Sequence, residues 1–432
     1  MQSILDPIQQ FFLLESGVRA LVASVLVGGL CGLLGSFIVL RNMSLIGDAL
    51  SHAILPGIVV AFVFFGYSTS AFFGGSVLAG IIAALLITWL QRSIRIKNDA
   101  AIGIIFTFMF SIGVIGISWL SHHDGVHLDL KDFLFGNILA VQNEDVWMTL
   151  GMCVIVCGAI LIFYRAMFTT TFQADLASTL GYHQDMIHYL IMLLLSLSVV
   201  ASLRSVGVIL VVAMLITPAS AALLISDRLP RVLATSSILG MIAALTGLLL
   251  SISLDTPPGP SMAVVTTLIY LLVMLFAPQR GLIIRWRVRK QQQMRVVVED
   301  ILKQLYRIEN NQPIPYQKLE DTMVHDRKLL TKWIRKMAQL KLIKFESGEI
   351  QLTESGKQKA NHLVRAHRLW ETFLVEELGL KPDQIHEEAE RFEHHLSEEE
   401  INEVDRNLGY PKTDPHGSPI PRRWLHKNNS RC

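Results

Sequence analysis

Apolar residues run in long unbroken blocks over the first two thirds of this chain and in short periodic stripes after that. Blocks of about 20 residues, enough to cross roughly 30 Å of hydrocarbon, fall at 17–40, 50–66, 70–90, 99–120, 146–164, 187–203, 205–225, 231–254 and 260–278. The pattern predicts eight or nine transmembrane helices. The count turns on "ASLRSVGVILVVAMLITPAS", residues 201–220. It reads either as a turn between two spans or as a broken, partly re-entrant segment, with Arg204, Gly207 and Pro218 as its irregular points.

From Arg285 the pattern changes. Residues 296–362 read as a helix, a Pro-marked turn, a short helix, a basic helix from about Asp326 to Leu340, and two short strands around "ESGE". That order predicts a winged helix-turn-helix. Residues 363–432 read as a small helical domain, with 285–295 as the linker from a membrane domain at 1–284.

Composition supports two solvents in one chain. Of 432 residues 51% are apolar, and mean hydropathy is +0.44, which excludes an ordinary soluble protein. Only 24 of the 74 Asp, Glu, Lys and Arg residues lie in residues 1–284. Cys31, Cys153 and Cys157 sit inside apolar runs and Cys432 is terminal, so no disulfide framework is expected. Basic residues in the short loops at 91–97, 226–231 and 279–290 put those loops, and the charged tail, in the cytoplasm. The loops at 121–132, with His122, His123 and His127, and at 255–260 then face outward. The cytoplasmic stretch 169–190, interrupted at Gly181, reads either as a plain connection or as a docking helix for a partner.

Chemistry concentrates first in "SLIGDALSHAILPG". Asp48 and His52 are four residues apart and share one helical face. Charged groups at bilayer depth are costly, and those present usually mark a path for an ion. A carboxylate with an imidazole suits a first-row divalent cation, but two ligands are too few for a closed site. A two-fold pair of subunits supplies four. Pro56 and Gly57 follow and let the helix bend beside the pair. The plainer reading has Asp48 capping a helix that starts near Ala49.

The blocks "MSLIGDALSHAILPGIVVAF", "NDAAIGIIFTFMFSIGV", "LKDFLFGNIL", "LASTLGYH", "SLRSVGVILVVAMLITPASAALL" and "DTPPGPSMAVV" together resemble the permease subunits of manganese, zinc and iron ABC importers, over about residues 15–280. The resemblance implies that Asp48 and His52 coordinate metal in the translocation path. It implies that Leu176, Ala177, Leu180, Gly181 and Tyr182 contact an ATP-binding cassette subunit. It also implies a second permease subunit, identical or homologous, and an extracytoplasmic metal-binding protein, all at a bacterial cytoplasmic membrane. No G-x-x-x-x-G-K-[ST] occurs in the chain, so ATP hydrolysis is expected from another polypeptide and no catalytic residue is expected here.

In the tail, His367 and Glu371, His386 and Glu390, and Glu390, Glu393 and His394 pair imidazole with carboxylate at helical spacing, which reads as divalent-metal coordination or as salt-bridging along a Glu-rich helix. "HRLWETFL", "IHEEAERFEHHL" and "DPHGSPIP" resemble the diphtheria-toxin-repressor family of metal-dependent regulators. By that resemblance His367, Glu371 and His386 match one metal site, Glu390, Glu393 and His394 match the other, and Asp300 matches a further ligand of manganese-responsive members. One departure stands out. A second acidic ligand is expected one turn after Asp300, and this chain has Lys303, whose ammonium cannot coordinate. The Asp300 site is therefore expected to be incomplete and the His367 site the better preserved.

The expected whole is an all-α polytopic membrane protein followed by a soluble winged-helix domain and a small α-helical metal-binding and dimerisation domain. Its expected work is ATP-driven import of a divalent metal, with a cytosolic metal-sensing tail. Manganese is favoured over zinc or iron because Asp, Glu and His without thiolates suit harder cations. The alternative is a DNA-binding regulator tethered to a permease, or cut from it near "RKQQQMR", with Arg327, Lys328, Lys332, Arg335 and Lys336 reaching DNA. The 13 basic and 9 acidic residues between Arg295 and Ala360 do not demand DNA.

Overall fold

The computed structural model describes residues 11, 13–66, 68–93, 96–123, 138–308, 313–322, 327–381, 385–392, 394 and 396–422. His127, Glu393 and most of the outward histidine loop lie outside them, as do the side chains of His123, Arg204, Arg327, Lys328 and His386. The chain divides into two compact units, Met1–Arg285 and Trp286–Cys432.

The first unit is helical: α1 (Glu15–Leu40), α2 (Ile46–Ala53), α3 (Leu55–Phe65), α4 (Thr69–Ser93), α5 (Asn98–His123), α6 (Asn143–Phe172), α7 (Ala174–Thr179), α8 (Gln184–Val206), α9 (Val208–Ile225), α10 (Leu229–Leu254) and α11 (Pro258–Phe276). Taking α2 and α3 as one span, nine among the described residues are long and apolar enough to cross a membrane. Within residues 201–220 the break between α8 and α9 is the single residue Gly207, and α9 is long and apolar enough to cross a membrane on its own. Gly207 has φ +77° between α8 and α9, a conformation open to glycine at little cost. Pro218 lies inside α9 without ending it.

Two further breaks shape the region around Asp48. After α1 the backbone turns at Asn42 (φ +55°), a conformation asparagine tolerates, and Met43 donates back to the Ile38 carbonyl at 3.0 Å. The α2 helix therefore begins at Ile46, earlier than the sequence pattern predicts. Asp48 sits in its first turn rather than at its cap, which is Leu45. At the other end, residue 56 of a continuous helix would donate to the carbonyl of residue 52, and Pro56 has no N–H to give. The His52 carbonyl takes the Ile54 N–H instead, and α3 starts anew.

Helix α3 then crosses α4 at very close range. A Cβ on Gly57 would strike the Gly75 carbonyl oxygen, and one on Gly75 the Gly57 carbonyl oxygen. Small residues let membrane helices approach in this way. Gly57→Leu is expected to destabilise the membrane unit by about 3 kcal/mol through overpacking, read as a lower thermal midpoint in detergent. An unchanged midpoint would show that the crossing can open freely.

The second unit contains most of helix α12 (Leu282–Ile308), then β1 (Ile314–Pro315), α13 (Tyr316–Thr322), α14 (Arg327–Gln339), β2 (Ile343–Glu346), β3 (Glu349–Leu352), α15 (Glu354–Glu376), α16 (His386–Phe392) and α17 (Glu398–Asn407). The strands form an antiparallel sheet in the order β1-β3-β2. Ile301, Leu302, Leu305, Leu319, Ile334, Met337 and Ile350 fill the core between sheet and helices. Thr353 caps α15 by accepting from the Gly356 N–H at 3.1 Å. Arg365 ties α15 to α17 through Asn402 at 2.9 Å and Asp405 at 2.5 Å.

Candidate metal centres

In the membrane unit the α2 helix brings Asp48 and His52 together. His52 Nε2 lies 3.6 Å from Asp48 Oδ1, an ion-pair distance rather than a hydrogen bond. The imidazole packs against the stacked rings of Phe106 and Phe110 of α5, with ring centroids at 5.6 and 5.4 Å. It is 18% exposed, whereas the Asp48 carboxylate is 48% exposed. The pair is thus anchored on its imidazole side and open on its carboxylate side. Two ligands are all this constellation offers: among the described residues no three His, Cys, Asp or Glu side chains form a group that could hold a metal ion.

The short α7 helix carries the loop residues singled out by sequence. Leu176 is 45% and Leu180 58% exposed, and the Leu180 N–H donates to the Leu176 carbonyl at 3.1 Å. Gly181 (φ +78°) then turns the chain, so that the Tyr182 N–H reaches the Ala177 carbonyl at 2.9 Å. Ala177 is fully buried.

One polar cluster had no signal in the sequence pattern. Arg41 donates to Thr170 at 2.9 Å and Thr171 at 3.2 Å and lies 3.3 Å from His188 Nδ1. His188 Nε2 is in turn 3.3 Å from Gln91 Oε1. Four helices, α1, α4, α6 and α8, meet in this cluster through residues far apart in sequence.

In the tail unit the described expected ligands fall around His394 and around His367, while Glu393 and the side chain of His386 lie outside the described residues. Around His394, Nδ1 is 2.8 Å from Glu299 Oε2 and Nε2 is 3.4 Å from Asp300 Oδ1. Glu299 was missed in the sequence, where its neighbour Asp300 drew attention by resemblance. Burial works to raise the Glu299 carboxyl, but its hydrogen bonds with His394 and Arg295 prevail and hold it below the usual carboxylate range. Around His367, Nε2 is 3.1 Å from Glu371 Oε1, both side chains buried. Lys303 also comes close to this group. Its ammonium lies 3.3 Å from His367 Nδ1, of one expected group, and 4.0 Å from Glu390 Oε1, of the other.

On α14, Lys332 and Arg335 are exposed, whereas half-buried Lys336 turns its Nζ to within 2.8 Å of Met294 Sδ.

Among the described residues, nine helices are long and apolar enough to cross a membrane, and one of them carries the Asp48 and His52 pair, the architecture of a multi-pass membrane protein. The chain belongs to the ABC 3 transport family, which matches residues 14–277. The manganese transport system membrane protein MntC of Halalkalibacterium halodurans is 43% identical over 277 residues, 64% of this chain and 92% of that protein. The manganese import system permease protein ScaB of Streptococcus parasanguinis is 40% identical over 276 residues, 64% of this chain and 95% of that protein. A solved structure of PsaBC from Streptococcus pneumoniae in complex with Fab aligns with a TM-score of 0.57 and 37% identity, covering 64% of this chain and 97% of that one. Residues 353–422 match a second family, the iron dependent repressor metal-binding and dimerisation domain.

Proposed function

We propose that this chain is the membrane-spanning subunit of an ATP-driven manganese importer whose cytoplasmic tail senses the metal it admits. The observation that carries the transport reading is the Asp48 and His52 pair, half open within a span of a family member whose relatives are named for manganese transport. Manganese accepts carboxylate and imidazole ligands, and a pair of such subunits facing each other supplies four. Zinc and iron remain chemically compatible with this donor set, so competition decides among them. Uptake of labelled manganese by cells making the whole importer is expected to be suppressed by excess unlabelled manganese and much less by zinc or iron. Equal suppression by zinc would overturn the assignment.

Energy comes from a separate ATP-binding cassette subunit docking on Leu176, Leu180, Gly181 and Tyr182, of which both leucines are exposed. An extracytoplasmic binding protein hands over the ion. The tail follows the basic loop at 279–290 and is assigned to the cytoplasm on that charge bias.

The repressor-like match at 353–422 favours regulation by metal. Removing the residues after Arg289 should leave the initial rate of uptake intact but make it insensitive to preloading the cells with manganese. Loss of all uptake would contradict a regulatory role. The second reading, a DNA-binding regulator presented by or released from the membrane, rests on the exposed Lys332 and Arg335 of α14. It requires salt-sensitive binding of the tail to DNA.

A further inference from the structure

We propose that Lys303 is a resident cation of the His367 group: its ammonium stands in for a metal ion there, so this half of the tail is held together at every metal level. The inference rests on the reading of the tail as a metal sensor and narrows where the sensing happens.

The argument begins with donors and acceptors. Lys303 projects from α12 into the second unit's interior, with its side chain 4% exposed. A lysine ammonium carries donors and no acceptor, so the His367 Nδ1 that it approaches at 3.3 Å must accept. The ring proton then belongs on Nε2, which faces Glu371 Oε1 at 3.1 Å. Both nitrogens of the imidazole are thereby engaged, and the lone pair with which it would ligate a cation is directed at the ammonium. Glu390, expected in the other group, lies 4.0 Å from the same ammonium and gives it a second carboxylate partner. A buried ammonium is tolerable only with partners of this kind, and a divalent ion brought to the same ring would meet like charge.

Functionally, α12, α15 and α16 are joined here by a cation that cannot dissociate. In a site that holds metal, the joint forms and breaks with metal concentration. In this chain the response is left to residues around His394. The group has one cation of fixed occupancy, so its geometry is a constant of the fold.

The test uses the full chain in detergent, with Asp48→Ala and His52→Ala in place to silence the membrane pair. It is stripped with chelator and dialysed against manganese chloride, and bound manganese is counted by elemental mass spectrometry. Adding His367→Ala is expected to leave the count unchanged. Adding Lys303→Glu instead supplies a carboxylate in place of the ammonium and is expected to raise the count by about one ion per chain, a gain that His367→Ala then abolishes. A fall in the count on His367→Ala with Lys303 present would overturn the inference, and that comparison holds even if the Lys303→Glu protein fails to fold. A folded Lys303→Glu chain that gains no manganese would overturn it equally. A count near zero with Lys303 present, rising by about one with Lys303→Glu, would uphold it while removing the His394 group as a sensor.

Discussion

Leu176→Asp with Leu180→Asp is expected to abolish uptake while leaving the chain in the membrane at normal abundance. Both leucines lie on or just after a single short helix between two spans, one turn apart, with about half of each exposed. Because each is about half open, the charges cost the fold less than they would in a buried core. A docking surface is different. Apolar anchors at the centre of an interface contribute about 2 kcal/mol or more each, and two carboxylates buried there without partners add a desolvation penalty. The ATPase subunit should fail to co-purify with the double variant, and initial uptake should fall at least tenfold, roughly the loss of one such anchor. Normal uptake with normal co-purification would show that α7 is only a connection.

The second large effect is expected at Asp48 and His52. Disturbing even an outer partner of a metal site costs roughly 10–100-fold in affinity or activity, and these two are proposed as ligands themselves. His52→Ala removes the imidazole from against Phe106 and Phe110 and leaves a gap bordered by apolar rings. Asp48→Asn keeps the shape and removes only the charge, so it separates coordination from packing. Uptake lost in Asp48→Asn, with the thermal midpoint unchanged, assigns the carboxylate to the ion. Uptake kept in Asp48→Asn but lost in His52→Ala would make the pair a packing feature of the contact between α2 and α5.

The spans were legible because a membrane helix announces itself by length and apolarity alone, and each of the nine blocks lies largely within one described span. Pro56 and Gly207 were legible as breaks for backbone reasons that depend on one residue. The start of α2 was not, because it depends on Asn42 adopting a positive φ, which asparagine takes only in some contexts. Neither was the burial of Ala177, since a short helix alone does not show which of its faces the rest of the unit covers. Lys303 is the clearest case. Its neighbours in sequence pointed to the Asp300 group, one turn away on the same helix. Its side chain lies near Glu390 of that second expected group and also reaches a histidine 64 residues further on. Spacing on one helix predicts faces; it does not predict which of two nearby sites a long, flexible side chain enters.

Total cellular manganese, zinc and iron, measured by elemental mass spectrometry in cells making the whole importer, tests the central claim most directly. With the intact chain manganese is predicted to rise over cells lacking it, and with Asp48→Ala and His52→Ala at equal membrane abundance that rise is predicted to vanish. A manganese rise that persists in the double variant would contradict the account of the path, and a rise in zinc or iron alone would contradict the assigned substrate.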